Sequence, residues 1–248
     1  MINYILLAEQ INIMSIMVPY TMVFSMFLLL AVIIIIAKRR KYYKSEYWKI
    51  TNANYFSIKF DKGKTGEYKT ITKIFELPIE KKILVNVYLP KANDISKTTE
   101  IDIIAITNRA IYVIENKNYS GKIYGTDTQF YWYYYLGGKK YKVYNPIMQN
   151  ETHIKALKKI ISNEDLIYSI VCFNSNMNID KINTSSVIVC NENNIKNTIM
   201  NIESNLPYKY SNDDIDRIFN VIRPYNEVSD EFKQQHIDNI KKQESNES

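Results

Sequence analysis

From Ile11 to Ala37 the chain has 27 consecutive uncharged residues, ending in the run Phe27-Leu28-Leu29-Leu30-Ala31-Val32-Ile33-Ile34-Ile35-Ile36-Ala37. A helix needs about 20 apolar residues to cross the hydrocarbon core of a bilayer. The cluster Lys38-Arg39-Arg40-Lys41 stops the run abruptly. A cleaved signal peptide would instead show a basic start, a short apolar core and a small-residue cleavage site. The pattern predicts a single-pass anchor, with Pro19 near its first turn. By the positive-inside rule, everything after the anchor lies on the cytoplasmic side of the cell membrane.

Charge sharpens this reading. Residues 38–49 carry six basic side chains against Glu46, and Glu9 is the only charge before them. Of the chain's net +6, residues 50–248 therefore keep only +2. The stretch Lys38–Lys49 suits anionic lipid headgroups. The high isoelectric point is accordingly weak support for nucleic-acid binding by itself. Cys172 and Cys190 each sit in an apolar run and read as buried thiols on neighbouring strands. With no histidine nearby, they do not make a zinc site.

Beyond the anchor, some 200 residues suffice for one globular domain with a real core. A polar connection is expected over Asn52–Lys62, then a helix over Lys64–Phe75. A strand over Ile83–Leu89 ends at Pro90, and a polar loop over Lys91–Thr99 leads to a strand over Glu100–Thr107. Asn108-Arg109 turns the chain into a strand over Ala110–Lys117. Gly137-Gly138 predicts a hairpin between strands Phe130–Leu136 and Lys139–Tyr144. The aromatic run Tyr131–Tyr135 in that hairpin fits cross-strand packing better than a base-stacking platform. Asn145-Pro146 opens a helix reaching about Ile161. Strands over Tyr168–Phe173 and Ser186–Cys190 follow, then helices over Asn194–Glu203 and Asp213–Ile222. A polar, loosely ordered tail is expected from Asn226. The domain plan is an anchor over 1–37, a basic juxtamembrane linker over 38–59, a central domain over 60–165, an α/β extension over 166–225 that completes or flanks the sheet, and a tail over 226–248.

Several polar residues fall where core packing would not put them. Glu67 shares a helix stripe with Ile71 and Ile74. Asp102 interrupts Ile101-Asp102-Ile103-Ile104-Ala105-Ile106, a strand apolar on both faces and therefore central. On the next strand Glu115 and Lys117 alternate onto one face. A short turn joins the two strands, so Asp102 and Glu115 converge at one sheet edge. Two carboxylates can hold a hard cation such as Mg²⁺. Beside them an ammonium can offset charge building on phosphorus. A third acid, Glu67, would help place the cation or hold a second. An ion-pair cluster with no substrate would present the same residues.

These residues lie within ordered motifs: Gly63-Lys64-Thr65-Gly66-Glu67, Thr99-Glu100-Ile101-Asp102, Ile114-Glu115-Asn116-Lys117-Asn118, Gly121-Lys122-Ile123-Tyr124-Gly125, Trp132, Asn145-Pro146-Ile147-Met148-Gln149-Asn150, and His153. Over about residues 60–160 the chain resembles the nuclease-related domain (NERD) family. The resemblance implies an α/β, restriction-endonuclease-like fold, a mixed central sheet flanked by helices, here preceded by one N-terminal transmembrane helix. In the wider PD-(D/E)xK group an Asp on one strand and the acid and Lys of the next form the metal site. Carried over, these are Asp102, Glu115 and Lys117, with Glu67 as the helix acid and Gln149 as a glutamine found near the metal in some branches. The proline that usually precedes the Asp is missing. Asn116, Asn118 and His153 fit the pattern without an assigned role. The implied activity is Mg²⁺- or Mn²⁺-dependent phosphodiester hydrolysis of nucleic acid, DNA before RNA. The alternative is an inactive module that binds nucleic acid or protein at the membrane.

Overall fold

The structure is a computed structural model describing residues 2–161 and 166–246. Two compact units divide the chain, Met1–Lys49 and Ile50–Ser248. Helix α1 of the first runs Ile2–Tyr43, and a short α2, Glu46–Thr51, spans the division. The segment Met17–Tyr43 is long and apolar enough to cross a membrane. Pro19 lies in the helix interior rather than near its start, because the helix already begins at Ile2. Arg40 and Lys41 close α1, where cations complement the helix dipole.

In the second unit, the expected polar connection over 52–62 contains a further helix, α3, Tyr55–Phe60. Asn54 caps it, its side chain accepting from the Phe56 N–H at 2.9 Å. Asp61 caps α4, Lys62–Phe75, accepting from the Lys64 N–H at 3.1 Å. Strands β1 (Lys81–Lys91) and β2 (Asp94–Thr107) then form a long antiparallel hairpin. The polar loop expected over Lys91–Thr99 is mostly strand, and β1 continues past Pro90. The residues that looked like a loop are polar because this end of the hairpin is solvated: Ile95 is 81% exposed. Next come β3 (Ile111–Lys117), β4 (Gly121–Thr126), β5 (Tyr131–Leu136) and β6 (Lys139–Tyr144). Helix α5 (Pro146–Lys158) starts as expected, with the Asn145 side chain accepting from the Ile147 N–H and Pro146 in the first turn. The remainder is β7 (Ile167–Phe173), β8 (Met177–Asn183), β9 (Ile188–Asn191), α6 (Ile195–Ser204), α7 (Asn212–Ile222) and α8 (Asp230–Asn246). The loose tail expected from Asn226 is thus corrected to a helix, whose Phe232 and His236 pack edge-on against Tyr88.

Among the described residues the strands form two mixed sheets, β1-β2-β3-β7-β9 and β6-β5-β4-β8. In the first, β1, β2 and β3 are antiparallel neighbours, whereas β7 and β9 continue parallel to β3. Of the three strands beyond residue 165, β7 and β9 therefore complete the central sheet, and β8 joins the other. Cys172 and Cys190 face each other across them as free, buried thiols. One face of the sheet packs on α5 and α7, joining Val87, Ile104 and Val113 to Leu157, Ile215 and Ile218. Alternation turns Tyr112, Ile114 and Asn116 to the opposite face, where α4 and α6 lie. The C-terminal end of β3 consequently has α4 on one side and α5 on the other.

Candidate functional site

Glu115 and Lys117 stand on the α5 side of β3. Glu115 is 1% exposed, and a lone carboxylate there would be prohibitively costly. It is not alone. Its Oε1 accepts from Lys117 Nζ at 2.7 Å and its Oε2 meets His153 Nε2 at 2.9 Å. Lys117 Nζ also donates to Gln149 Oε1 at 3.0 Å. His153 Nδ1 lies 2.7 Å from Thr99 Oγ1. Gln149 and His153 are one helical step apart on α5, so a single helix face grips both ends of the Glu115–Lys117 pair. An ionised carboxylate only accepts, so His153 Nε2 carries a hydrogen. Burial pushes the Glu115 carboxyl up, but Lys117 and His153 outweigh it and hold it at about 2. For Lys117 burial works against the charge, yet Glu115, Tyr119 and Asp102 prevail and raise it above the usual lysine range. The pair is therefore a fixed carboxylate beside a fixed ammonium.

Asp102 arrives from β2. The β2–β3 register pairs Ile104 with Val113 and Ile103 with Ile114. There the ladder ends, and the Asp102 Oδ2 accepts from the Asn116 N–H at 2.7 Å. The strands fork at this point and the carboxylate occupies the fork. Burial, then Glu115 and Glu67, raise the Asp102 carboxyl well above the usual range, despite Lys117 and the Asn116 N–H. Glu67 comes from the second turn of α4. Burial, then Glu100 and Asp61, raise it to about 7, against Lys64 and the Asn86 amide. Its Oε2 is buried with no hydrogen-bond partner, an expensive condition for a polar atom. All the residues expected to form the site thus share one neighbourhood. Glu115, Lys117 and Gln149 are joined directly, Asp102 through the backbone beside Glu115, and Glu67 through charge.

Four further residues belong here. Glu100, two positions before Asp102 and on its face by alternation, accepts from the Tyr88 hydroxyl at 2.6 Å and adds negative charge beside Glu67. That alternation was the legible signal for it. Asn86 sits in β1 between Val85, paired with Ile103, and Val87, paired with Ile101, so it stands opposite Asp102. Its φ is 56°, a left-handed conformation rare inside a strand, and its amide favours the ionised form of Glu67. Asn116 and Asn118 acquire a structural role. Thr70 Oγ1 donates to Asn116 Oδ1 at 2.8 Å, and Asn118 Nδ2 donates to the Lys62 carbonyl. A Cβ at Gly66 would come within 2.8 Å of Asn116 Nδ2. The two asparagines and the bare glycine thus press α4 onto the end of β3, which places Glu67.

Among the described residues no three histidine, cysteine or carboxylate groups converge closely enough to hold a metal ion. The donors nevertheless fit a hard divalent cation in kind. They are all carboxylates, burial and then neighbouring acids raise two of them, and Glu67 offers an orphaned oxygen. Glu115 already gives both oxygens to Lys117 and His153, so most of the free donor capacity rests with Glu67 and Asp102.

Residues 62–174 match the family model of the nuclease-related domain. That span reaches past the 60–160 expected from motifs and takes in β7. An uncharacterized protein of Bacillus anthracis is 28% identical over 178 residues, which cover 71% of this chain and 82% of that one. No solved structure matches the chain.

Proposed function

Since residues 62–174 form a nuclease-related domain, we propose that this chain is a membrane-tethered, divalent-metal-dependent nuclease. It hydrolyses phosphodiester bonds of nucleic acid, DNA in the first instance, on the cytoplasmic side of the cell membrane. The observation that carries this reading is the buried Glu115–Lys117 pair beside Asp102 and Glu67, two carboxyls that burial raises above their ordinary range. Glu67, Asp102 and Glu115 would hold Mg²⁺ or Mn²⁺. When bound, such a cation supplies positive charge to the scissile phosphate and makes a water easier to deprotonate. Lys117, kept charged by Glu115 and aimed by Gln149, offsets the negative charge that grows on the phosphate oxygens during attack. His153 fixes the Glu115 carboxylate, so Lys117 is already oriented before substrate arrives. A cation held by Asp102 and Glu67 would offset the excess proton affinity that burial gives them.

The inert binding module remains the second reading, favoured by the absence of a convergent three-ligand group among the described residues. Titration of the detergent-solubilised full chain with Mn²⁺, followed by electron paramagnetic resonance, separates the two. The nuclease reading expects binding at millimolar Mn²⁺ or below, weakened at least tenfold in Asp102→Asn and in Glu67→Gln. No bound Mn²⁺ in the folded wild type would favour the inert module.

A further inference from the structure

The aromatic run Tyr131–Tyr135 serves two faces, and the mechanism above uses neither. On the inner face, Trp132 stacks on Phe173 with ring centroids 6.5 Å apart, and Tyr134 lies between Tyr119 and Tyr141 at 5.0 and 4.8 Å. Trp132 and Phe173 are core, and the Tyr119–Tyr134–Tyr141 stack extends from them to the sheet's rim, where Tyr141 is exposed. Alternation turns Tyr131, Tyr133 and Tyr135 the other way. Register carries this outer face across the whole second sheet. One row reads Lys142–Tyr133–Tyr124–Lys181, and the next Lys140–Tyr135–Lys122–Asn178. Tyr144 and Tyr131 pair beside them. The rows contain no aliphatic side chain, and the acid beside them, exposed Asp180 between Asn178 and Lys181 on β8, accepts from the Asn178 amide at 3.0 Å. Tyr124, Tyr135 and Tyr144 are 38%, 43% and 40% exposed. A depression of about 400 Å³ opens between Tyr124, Tyr133, Tyr135 and Lys140.

From this face we infer a docking surface for single-stranded nucleic acid. Exposed rings offer stacking partners to bases of any identity, and interleaved lysines answer the phosphates between them. A duplex hides its base faces and can use only the lysines. A lipid surface would call for aliphatic groups beneath the rings, and the rows have none. At present Lys140 lies over Tyr133 at 4.1 Å and Lys142 over Tyr131 at 3.7 Å. Both lysines are exposed, and such contacts are weaker than base stacking, so a strand displaces them onto its phosphates. The face also adjoins the candidate site in the chain. Only Asn118, Tyr119 and Ser120 separate Lys117 from β4, and the Tyr119 ring holds that link to the inner face of the same sheet, stacked on Tyr134 at an interplanar angle of 6°. The choice of substrate class rests on the nuclease reading, and it narrows that reading to strands with unpaired bases.

The test uses the full chain in neutral-lipid nanodiscs, with EDTA present so that binding is read without cleavage. A fluorescent oligothymidylate and a duplex of equal length are titrated across a salt series. Four lysines predict a slope of about −2.8 in log K against log salt, at about 0.7 per phosphate contact on a single strand. Tyr135→Ala is expected to weaken oligothymidylate binding about tenfold with the slope unchanged. The double variant Lys140→Gln, Lys142→Gln is expected to flatten the slope by about 1.4. Thermal melting checks that both variants stay folded, as exposed positions allow. Equal affinity of wild type and both variants would overturn the inference. So would tighter binding of the duplex, or protection of β5 and β6 from hydrogen exchange by anionic lipid instead of by the oligonucleotide. A wild type that binds with these slopes yet never cuts sinks the nuclease alone. Normal cutting with binding insensitive to both variants sinks the docking face alone.

Discussion

Glu67, Glu100, Asp102 and Glu115 crowd the end of one sheet, and their environments drive them apart. Glu115 is held ionised at about 2, whereas Glu67 is raised to about 7. The sign follows by linkage. A carboxyl whose folded value is raised binds its proton more tightly folded than unfolded. Its stabilising contribution is complete below the ordinary glutamate range of about 4.5 and is lost as pH rises through about 7. The metal-free chain is therefore expected to melt at a lower temperature at about pH 8 than at about pH 5, with a flatter dependence in Glu67→Gln. An identical pH dependence in that variant would show that Glu67 is not the group involved. Mn²⁺ must displace the same proton, so affinity is expected to rise over this interval. Asn86 gives a second prediction. Asn86→Gly keeps the left-handed backbone but removes the amide, whereas Asn86→Ala also adds roughly 1 kcal/mol of strain. Both are expected to weaken Mn²⁺ binding alike, with Ala the less stable of the two in thermal melts. Unchanged Mn²⁺ affinity in Asn86→Gly would leave Asn86 a purely backbone role. Asp102, Glu115 and Lys117 were legible because alternation on adjacent strands is a local rule. Asn86 was not, because its importance comes from standing opposite Asp102, a matter of register.

At the scale of elements, capping and turn chemistry were the readable parts. Asn145-Pro146 starts α5, Ser211 caps α7 with a complete capping box, and Gly137-Gly138 turn the hairpin with φ of 57° and 78°. Strands β4 and β8 escaped the reading because each is short and broken by polar residues such as Lys122, Asn178, Asp180 and Lys181, and only pairing makes them a sheet. Helix α8 escaped it because its contacts rest on Phe232 and His236 within a polar sequence. The apolar segment Met17–Tyr43 makes its own prediction. If it anchors the chain, the mature protein keeps residues 1–37, and a C-terminal green fluorescent protein fusion is fluorescent and membrane-bound. Mass spectrometry showing an N-terminus beyond Ala37, or a fusion that is exported and dark, would contradict the cytoplasmic anchor.

At the scale of the molecule, charge is divided by position. The stretch Lys38–Lys49 holds most of the net positive charge, while in the second unit Glu67, Glu100, Asp102 and Glu115 meet at one end of the central sheet and Lys122, Lys140, Lys142 and Lys181 stand among tyrosines on the other sheet. Under the proposed function, that arrangement would separate membrane attachment, substrate contact and hydrolysis in one chain. Its centre is testable by cleavage of labelled single-stranded and duplex DNA by the detergent-solubilised full chain, comparing Mg²⁺, Mn²⁺ and EDTA, alongside Asp102→Asn and Lys117→Met. We expect cutting that requires the cation and falls roughly 100-fold or more in either variant. Cutting that survives EDTA, or that both variants perform as well as wild type, would contradict hydrolysis at this cluster.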